Sequence, residues 1–339
     1  MSKAAARQQW LYRGLLLLPF GLIVLSLMIG LYTIPVEHVL RALASLVYPP
    51  AADGLPPTEL TLVLRIRLPR VLAACMVGAA LAVTGAGFQG VFRNPLVDAN
   101  LLGVMTGAGF GAALALLLGL PSGLVQLMAF GFGLVAVLLA YLGSRLYDTA
   151  PMIVLTLMGI LIGSFFGSLT SLLKYVADPL NTLPSITFWL LGGLTGVTWN
   201  SLPLLALATL AGGVFFFLVR WRLNVLSLGD AEAITLGMNP DRLKLALIVC
   251  ATLMTAAAVA VSGVIGWIGL VIPHAARVLT GPDHQRLIPV SLALGASFLL
   301  LIDNVSRTLL PTEVPLGVLT GLIGVPLLIG LLRRSARVW

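Results

Sequence analysis

The segment Ser262–Arg277, which reads SGVIGWIGLVIPHAAR, closes an apolar run that begins near Leu245. It contains three glycines at three-residue spacing, followed by a Pro-His pair and a single arginine. A straight membrane-spanning helix needs none of these features, because glycine loosens a helix and proline interrupts its hydrogen bonds. We therefore predict that this segment is a bent, incomplete span around which the other spans are arranged.

The composition is that of an integral membrane protein. Of 339 residues, 59% are hydrophobic and 9% are charged, and the mean hydropathy is +1.06. A soluble domain of this length could not cover so much apolar surface. The apolar runs are continuous over roughly 20 residues, which excludes a β-barrel and predicts an all-α membrane protein. Cys75 and Cys250 lie inside apolar runs, without disulfide or metal-ligand spacing.

The apolar runs indicate that residues 1–339 form one transmembrane domain. The first run is interpreted as a retained span and not as a signal peptide. The predicted spans lie near 15–33, 68–90, 101–119, 123–143, 152–173, 201–219, 245–263, 266–280, 288–309 and 314–332. Residues 181–193 are too short and interrupted to span, and are predicted to form a helix in the outer interface.

Positive charges determine the orientation and the number of spans. Both ends of the chain are basic, at Lys3, Arg7, Arg13, Arg333, Arg334 and Arg337, so the positive-inside rule places both termini in the cytoplasm. The loops on either side of 245–272 are basic as well, so this stretch must leave the cytoplasm and return. A run of roughly 28 residues reaches about 42 Å as a helix, whereas two crossings need about 60 Å. One arm must be short, and a reversal between Gly263 and Gly269 gives ten spans.

The depth of this reversal points to transport. Non-helical backbone inside a bilayer is tolerated only where protein buries it or a watery cavity wets it. We therefore expect a transport pathway beside the bent span.

Several kinds of chemistry are disfavoured by the sequence. The string GAGFQG, with Gly85, Gly87 and Gly90, matches a dinucleotide fingerprint but ends an apolar helix without a preceding strand. No Walker A sequence is present, so any ATP must be bound by another chain. The acidic residues lie at the ends of the runs, whereas a proton-coupled carrier needs a titratable group near the bilayer midplane. No catalytic constellation appears, and we expect neither a cofactor in this chain nor a nucleic-acid partner.

The loop 224–244, NVLSLGDAEAITLGMNPDRLK, is amphipathic and is predicted to lie on the cytoplasmic face as two short helices. Its leucines recur at helical spacing beside acidic residues. Exposed leucines in such a pattern favour a docking surface for a partner over a plain surface loop.

At this point the sequence resembles a known family, the FecCD-type permease subunits of bacterial ABC importers for cobalamin, iron–siderophores and haem. The resemblance covers roughly residues 60 to 335. It rests on ordered motifs, which are RLPRVLAACMVGAALAVTGAGFQGVFRNPLVDANLLGVMTGA, FWLLGGLTGVTW, LSLGDAEAITLGMNPDR, GVIGWIGLVIPHAARVLTGPDHQRLIP and EVPLGVLTGLIGVPLLIG.

The resemblance implies a homodimer in the inner membrane, surrounded by lipid, with the translocation path at the dimer interface. Two ATPase subunits holding ATP-Mg would dock on the cytoplasmic face, and a periplasmic substrate-binding protein on the outer face. The positions matching the docking arginines are Arg67, Arg70 and Arg307. The matched coupling positions are Leu226, Leu228, Gly229, Asp230, Glu232, Leu236, Gly237, Asp241 and Arg242. The positions assigned to the path or its gate are Asn94, Leu96, Met105, Thr106, Thr149, Gly263, Gly266 and Trp267.

Two departures from the family pattern bear on the cargo. The family commonly has Gly-Pro-Ile-Gly-Phe where this chain has Gly-Val-Ile-Gly-Trp from Gly263 to Trp267, and a serine pair where this chain has Met105 and Thr106. The resemblance implies import of a metal chelate. An oxyanion such as molybdate, carried by other members, stays open as an alternative, and a stand-alone secondary carrier is the less favoured one.

Overall fold

The computed structural model describes residues 3–30, 32–146 and 151–335, and every regular element in these ranges is helical, which confirms the all-α class. The α-helices are α1 Lys3–Met28, α2 Val36–Ala44, α3 Pro57–Thr61, α4 Leu68–Phe92, α5 Val104–Leu117, α6 Ser122–Ser144, α7 Pro151–Val176, α8 Thr182–Leu191, α9 Leu202–Leu228, α10 Asp230–Thr235, α11 Pro240–Ser262, α12 Ile268–Thr280, α13 His284–Thr308 and α14 Leu316–Ser335. A π-helical turn over Leu62–Arg67 joins α3 to α4, so the helix is continuous from Pro57 to Phe92.

Eight of the described helices are long and apolar enough to cross a membrane. They are Gln9–Met28, Pro57–Phe92, Ser122–Ser144, Met152–Val176, Trp199–Leu228, Pro240–Ser262, His284–Thr308 and Leu316–Arg333. The other two predicted spans fall on α5 and α12, which have 14 and 13 residues. Helices of this length reach only about 20 Å, less than the ~30 Å hydrocarbon core. The predicted count of ten spans is therefore not confirmed.

Helix α4 is the centre of the bundle and packs against α9, α11, α12 and α13. Its glycines permit this, because a Cβ at Gly78 would lie 2.2 Å from the carbonyl oxygen of Gly295, and one at Gly85 would lie 2.0 Å from that of Gly269. Small residues at helix crossings allow such close backbone approach. The glycines of GAGFQG thus serve helix packing, consistent with the argument against nucleotide binding.

A second group of helices, α5, α6 and α7, packs beside this centre. Gly107 and Gly111 of α5 lie against the α6 carbonyls of Phe132 and Met128, at 2.5 and 2.3 Å from where a Cβ would be. The Gly-x-x-x-Gly spacing of this part of the sequence therefore marks a helix crossing.

The helix break predicted in the opening segment lies between α11 and α12. Helix α11 ends at Ser262, the chain is not helical from Gly263 to Trp267, and α12 begins at Ile268. Gly263 has φ 66° and Trp267 has φ 71°, a conformation that a bulky residue adopts only where the surroundings enforce it. The loop after α8 supports the break, because the backbone N–H of Gly193 donates to the carbonyl of Ser262 at 2.8 Å.

The two ends of the bundle can be told apart by the residues they collect. A cavity at one end is lined by Gln9 of α1, Arg220 of α9 and Arg286 of α13. At the other end Arg67 contacts the last residues of α1. We call these the basal and the apical end.

Candidate functional site

A buried cluster of charged side chains joins three elements at the apical end. Arg70 of α4 donates to Asp303 of α13 from Nε at 3.0 Å and from Nη2 at 2.9 Å. It also donates to Glu313, just before α14, from Nη1 at 2.6 Å and from Nη2 at 2.9 Å. Arg307 lies 3.1 Å from the other oxygen of Asp303. Asp303 is completely buried, so its charge is balanced from both sides by arginine.

Glu313 is the only partly exposed carboxylate of this cluster. The hydroxyl of Thr195, in the loop after α8, donates to it at 2.6 Å, so the cluster also holds that loop. Burial alone would raise the pKa of Glu313, but hydrogen bonds from Arg70 and Thr195 and the nearby arginine charges lower that pKa below its ordinary value.

Two other arginines bind the carbonyl end of α1. Arg67 donates to the carbonyl oxygens of Leu27 at 2.7 Å and of Met28 at 3.1 Å, and also to that of Tyr32. Arg307 donates to the carbonyls of Ser26 and Ile29, both at 3.2 Å. The last carbonyls of a helix lack intrahelical partners and carry a partial negative charge, so these guanidinium groups stabilise the end of α1.

These contacts bear on the docking role that the resemblance implies for Arg67, Arg70 and Arg307. The three side chains are only 6%, 8% and 9% exposed. Each of these guanidinium groups has its hydrogen-bond partners within the chain. A buried guanidinium group without partners would strongly destabilise the fold. Of the three arginines at positions 65, 67 and 70, only Arg65 is exposed. A role of the three buried arginines in docking stays a prediction.

At the basal end, the predicted coupling segment is tied to two helices through Asp230. The ammonium group of Lys244 in α11 lies 2.5 Å from its carboxylate, and Arg93 at the end of α4 lies 3.7 Å away. Lys244 is buried, whereas Arg93 and Asp230 are about half exposed. The segment is therefore in contact with both α4 and α11.

The structure divides the predicted coupling residues into two groups. Leu226 and Gly229 are buried and hold the segment to the bundle. The exposed residues are Leu228, Glu232, Leu236, Gly237, Asp241 and Arg242. The expectation of two short helices is wrong, because α9 continues to Leu228 and α11 begins at Pro240, which leaves only α10 between them.

Two predicted gate residues lie in the loop after α4 at the basal end. Asn94 is exposed, and its Oδ1 accepts a hydrogen bond from the backbone N–H of Leu96 at 2.9 Å. Leu96 is exposed as well. The loop is held by His274 of α12, whose Nε2 lies 3.2 Å from the carbonyl oxygen of Pro95. Thr149 lies outside the described residues.

The remaining predicted path residues are not brought together within one chain. Met105 is buried, and its assignment to the path stays a prediction. Thr106 is half-buried and donates to the carbonyl of Gly103 at 2.9 Å. Gly263 packs under α8, Gly266 has open space beside it, and Trp267 lies against the glycines of α14.

One polar stripe was missed by the sequence analysis. Helix α7 has exposed serines at positions 164, 168 and 171, on a helix whose described surface is otherwise mostly apolar. The hydroxyls of Ser164 and Ser171 donate to the carbonyls four residues earlier, at 2.9 and 3.0 Å, which leaves their lone pairs unused. The i, i+4, i+7 spacing was readable from the sequence and places these hydroxyls on one face.

Comparison with known proteins agrees with this architecture. The model of the FecCD transport family matches residues 15–334. The molybdate import system permease protein MolB of Haemophilus influenzae is 39% identical over 316 residues, 93% of this chain and 92% of that protein. An iron chelatin transport system permease protein of Helicobacter pylori is 40% identical over 274 residues, 81% of this chain and 83% of that protein.

A solved structure shows the same fold at full length. It is described as an inward-facing conformation of a metal-chelate type ABC transporter, and it superimposes with a TM-score of 0.85 at 36% identity. The match covers 95% of this chain and 98% of the solved one. The chain therefore belongs to the FecCD transport family and is a multi-span permease subunit of an ABC importer.

Proposed function

We propose that two copies of this chain form the membrane pathway of an importer that is powered by ATP in two separate ATPase subunits. A substrate-binding protein delivers cargo at the apical end, which faces the periplasm, and the basal end with both termini faces the cytoplasm. Alternating access at the interface between the two copies moves the cargo inward.

The observation that carries this proposal is the basal coupling segment. Leu228, Ile234 and Leu236 are each more than half exposed, beside the exposed carboxylate of Glu232. Exposed large apolar residues next to charge are typical of a protein interface. Asp230 connects this surface to α4 and α11, so a movement of a docked ATPase subunit would be transmitted into the bundle.

The serine face of α7 supports a pathway between two copies. Ser164, Ser168 and Ser171 lie within a helix of membrane-spanning length, where an exposed hydroxyl gains little from lipid tails. A second copy placed against this face would enclose the hydroxyls in a polar passage. Leu161 and Phe165, exposed on the same helix, would supply the apolar part of the interface.

A stand-alone proton-coupled carrier is less well supported. The acidic residue buried in α13, Asp303, is held between Arg70 and Arg307, and a carboxylate paired in this way is a poor proton relay. The buried His274 is occupied by the carbonyl of Pro95.

The cargo is proposed to be a metal chelate, in line with the iron chelatin relative and the solved metal-chelate transporter. Molybdate is a second candidate, because the molybdate permease matches over 93% of this chain. A binding screen of the substrate-binding protein against ferric chelates and molybdate separates the two. Binding of molybdate alone would remove the chelate proposal.

Assembly is tested by co-purification with the ATPase subunit. Leu236→Asp should abolish the complex, whereas Leu180→Asp, at an even more exposed leucine before α8, should leave it intact. Equal recovery of the ATPase subunit with both variants would contradict the docking surface.

A further inference from the structure

A cavity of about 440 Å³ opens at the basal end between α4, α9, α12 and α13. Its volume is within the usual range of small-molecule sites, ~300–1,000 Å³. The polar residues around it are Gln89, Arg93, Asn94, Asn224, Ser227, Arg277, Asp283 and His284. Of these residues, only Asn94 was assigned a role from the sequence.

Two buried hydrogen-bond acceptors in the cavity wall have no partner. Gln89 is 3% exposed; its amide nitrogen donates to the carbonyl of Gly269 at 3.3 Å, but its Oε1 accepts no hydrogen bond. His284 is 5% exposed, and its Nε2 has no partner. Buried polar atoms without partners are rare, and each one needs an explanation such as a ligand.

The contacts of Asn224 determine which nitrogen of His284 carries the proton. Nδ2 of Asn224 donates to the carboxylate of Asp283 at 2.6 Å, so Oδ1 is the acceptor. That Oδ1 accepts from the backbone N–H of His284 at 2.8 Å and lies 2.9 Å from its Nδ1, which must therefore be protonated. In the neutral ring, Nε2 then presents a lone pair and needs a hydrogen-bond donor.

The cations around the cavity are poorly neutralised. The guanidinium group of Arg277 is half-buried and has no hydrogen-bond or ion-pair partner in the part of the chain that the structure describes. Arg93 has only the 3.7 Å contact with Asp230. The single carboxylate of the lining, Asp283, is already bound by Asn224 and by the backbone N–H of Gln285 at 2.9 Å. Two arginines against one carboxylate leave a net positive site.

We propose that this cavity binds a tetrahedral oxyanion that still carries a proton, such as hydrogen phosphate. Its charged oxygens would accept from Arg277 and Arg93, for which a guanidinium fork is well suited. Its O–H group would donate to Nε2 of His284 or to Oε1 of Gln89. A simple cation is disfavoured by the two arginines, and a fully deprotonated anion would leave both acceptors unpaired.

The site also suggests a form of regulation, which rests on the proposed function. Arg93 lines the cavity and is at the same time the link between α4 and Asp230 of the coupling segment. An anion in the cavity competes with Asp230 for this guanidinium group. Occupancy therefore weakens the contact of α4 with the coupling segment, while the contact of Lys244 with Asp230 stays in place.

Binding is tested on the purified full-length chain in phosphate-free buffer, by calorimetric titration with inorganic phosphate. Wild type should bind, and Arg277→Gln should raise the Kd at least ~10-fold, because a charge-assisted bidentate contact is lost. Arg222→Gln removes an exposed arginine of α9 that does not line the cavity, and should bind like wild type. Arg277→Lys keeps the charge without the fork and should lie between them; it replaces the glutamine variant if that variant does not fold.

The same titration in nanodiscs separates a free anion from a lipid headgroup. An unchanged phosphate Kd between neutral and phosphatidylglycerol nanodiscs assigns the site to a soluble anion. A raised Kd in phosphatidylglycerol assigns it to a lipid phosphodiester, which has no P–OH group, and overturns the proposal of a protonated anion. No binding by wild type, or the same Kd for Arg277→Gln and wild type, overturns the proposal. Because this binding needs no transport, a failure to import cargo leaves its outcome unaffected.

Discussion

Arg70 of α4 and Asp303 of α13 form a buried ion pair, with three donor–acceptor distances of 2.9 to 3.2 Å. Arg70 is 8% exposed and Asp303 is fully buried. Burying two charges has a large desolvation penalty, so such a pair contributes more to a specific arrangement than to net stability. Here it fixes the apical end of α4 against α13 and, through Glu313, against the start of α14.

Neutralising the buried carboxylate should destabilise the protein strongly. Asp303→Asn leaves Arg307 without its carboxylate and Arg70 with only Glu313, and a broken buried pair is expected to lower the free energy of unfolding by about 3 kcal/mol. The measurement is denaturant-induced unfolding of the purified chain. As a control, Glu37→Gln removes an exposed contact of 4.0 Å with Arg41 and should change the stability by less than about 1 kcal/mol. Equal stability of both variants would show that the buried pair is dispensable.

The apical cluster should make the melting temperature of the protein depend on pH in the acidic range. Because the folded pKa of Glu313 lies below its ordinary value of 4.5, its contribution is fully present above that value and is lost as the pH falls through the lowered pKa. At pH values below about 4.5, the melting temperature of wild type should therefore decrease. Glu313→Gln should melt lower at neutral pH and lose part of this acid dependence. Parallel curves for the two proteins between pH 7 and 3 would rule out this role of Glu313.

The contact of α4 with α12 should not tolerate a methyl group. Gly85→Ala places Cβ 2.0 Å from the carbonyl oxygen of Gly269, so the helices must move apart, at an expected loss of about 1–3 kcal/mol in the free energy of unfolding. Gly131→Ala in α6 meets nothing within 4 Å and should be neutral or slightly stabilising. The free energy of unfolding of both variants is measured in the same denaturant series. A Gly85→Ala variant as stable as wild type would contradict the close packing of α4 against α12.

The link between the coupling segment and the bundle should be needed for coupling more than for folding. Asp230→Asn weakens the contacts with Lys244 and Arg93, and should reduce cargo-stimulated ATP hydrolysis by the assembled complex about tenfold, the equivalent of roughly 1.4 kcal/mol. Glu37→Gln, at an exposed carboxylate of α2 outside the coupling segment, should leave it nearly unchanged. The ATPase assay is accompanied by a melting curve for each variant. A tenfold loss in both variants would remove the special role of Asp230.

The helix break after Ser262 could be predicted because two independent sequence signals agree. The glycine spacing weakens the helix, and basic loops on both sides require the chain to return. Pro273, which was also expected to interrupt the span, lies inside α12. A short arm after the reversal was predicted and is found in α12. The shortness of α5 could not be predicted, because hydropathy reports which residues are apolar and not where a helix begins.

The burial of the apical arginines could not be predicted from the sequence either. In the sequence, a cluster of arginines has the same appearance whether its acidic partners lie in the same chain or in another protein. The partners of Arg70 follow it by 233 and 243 residues, a separation at which no local pattern connects them. The serine face of α7 was within reach of helical periodicity, whereas the basal cavity depends on four helices whose packing is set only in the fold.

The central claim is that this chain imports cargo only as part of an ATP-driven assembly. It is tested most directly in proteoliposomes that contain the chain and its ATPase subunits, with the substrate-binding protein and a radiolabelled ferric chelate or molybdate outside. The account predicts uptake that requires ATP at the ATPase subunits and the binding protein, and that is unaffected when a proton ionophore collapses the pH gradient. Uptake by the chain alone, driven by a proton gradient without ATP, would contradict it.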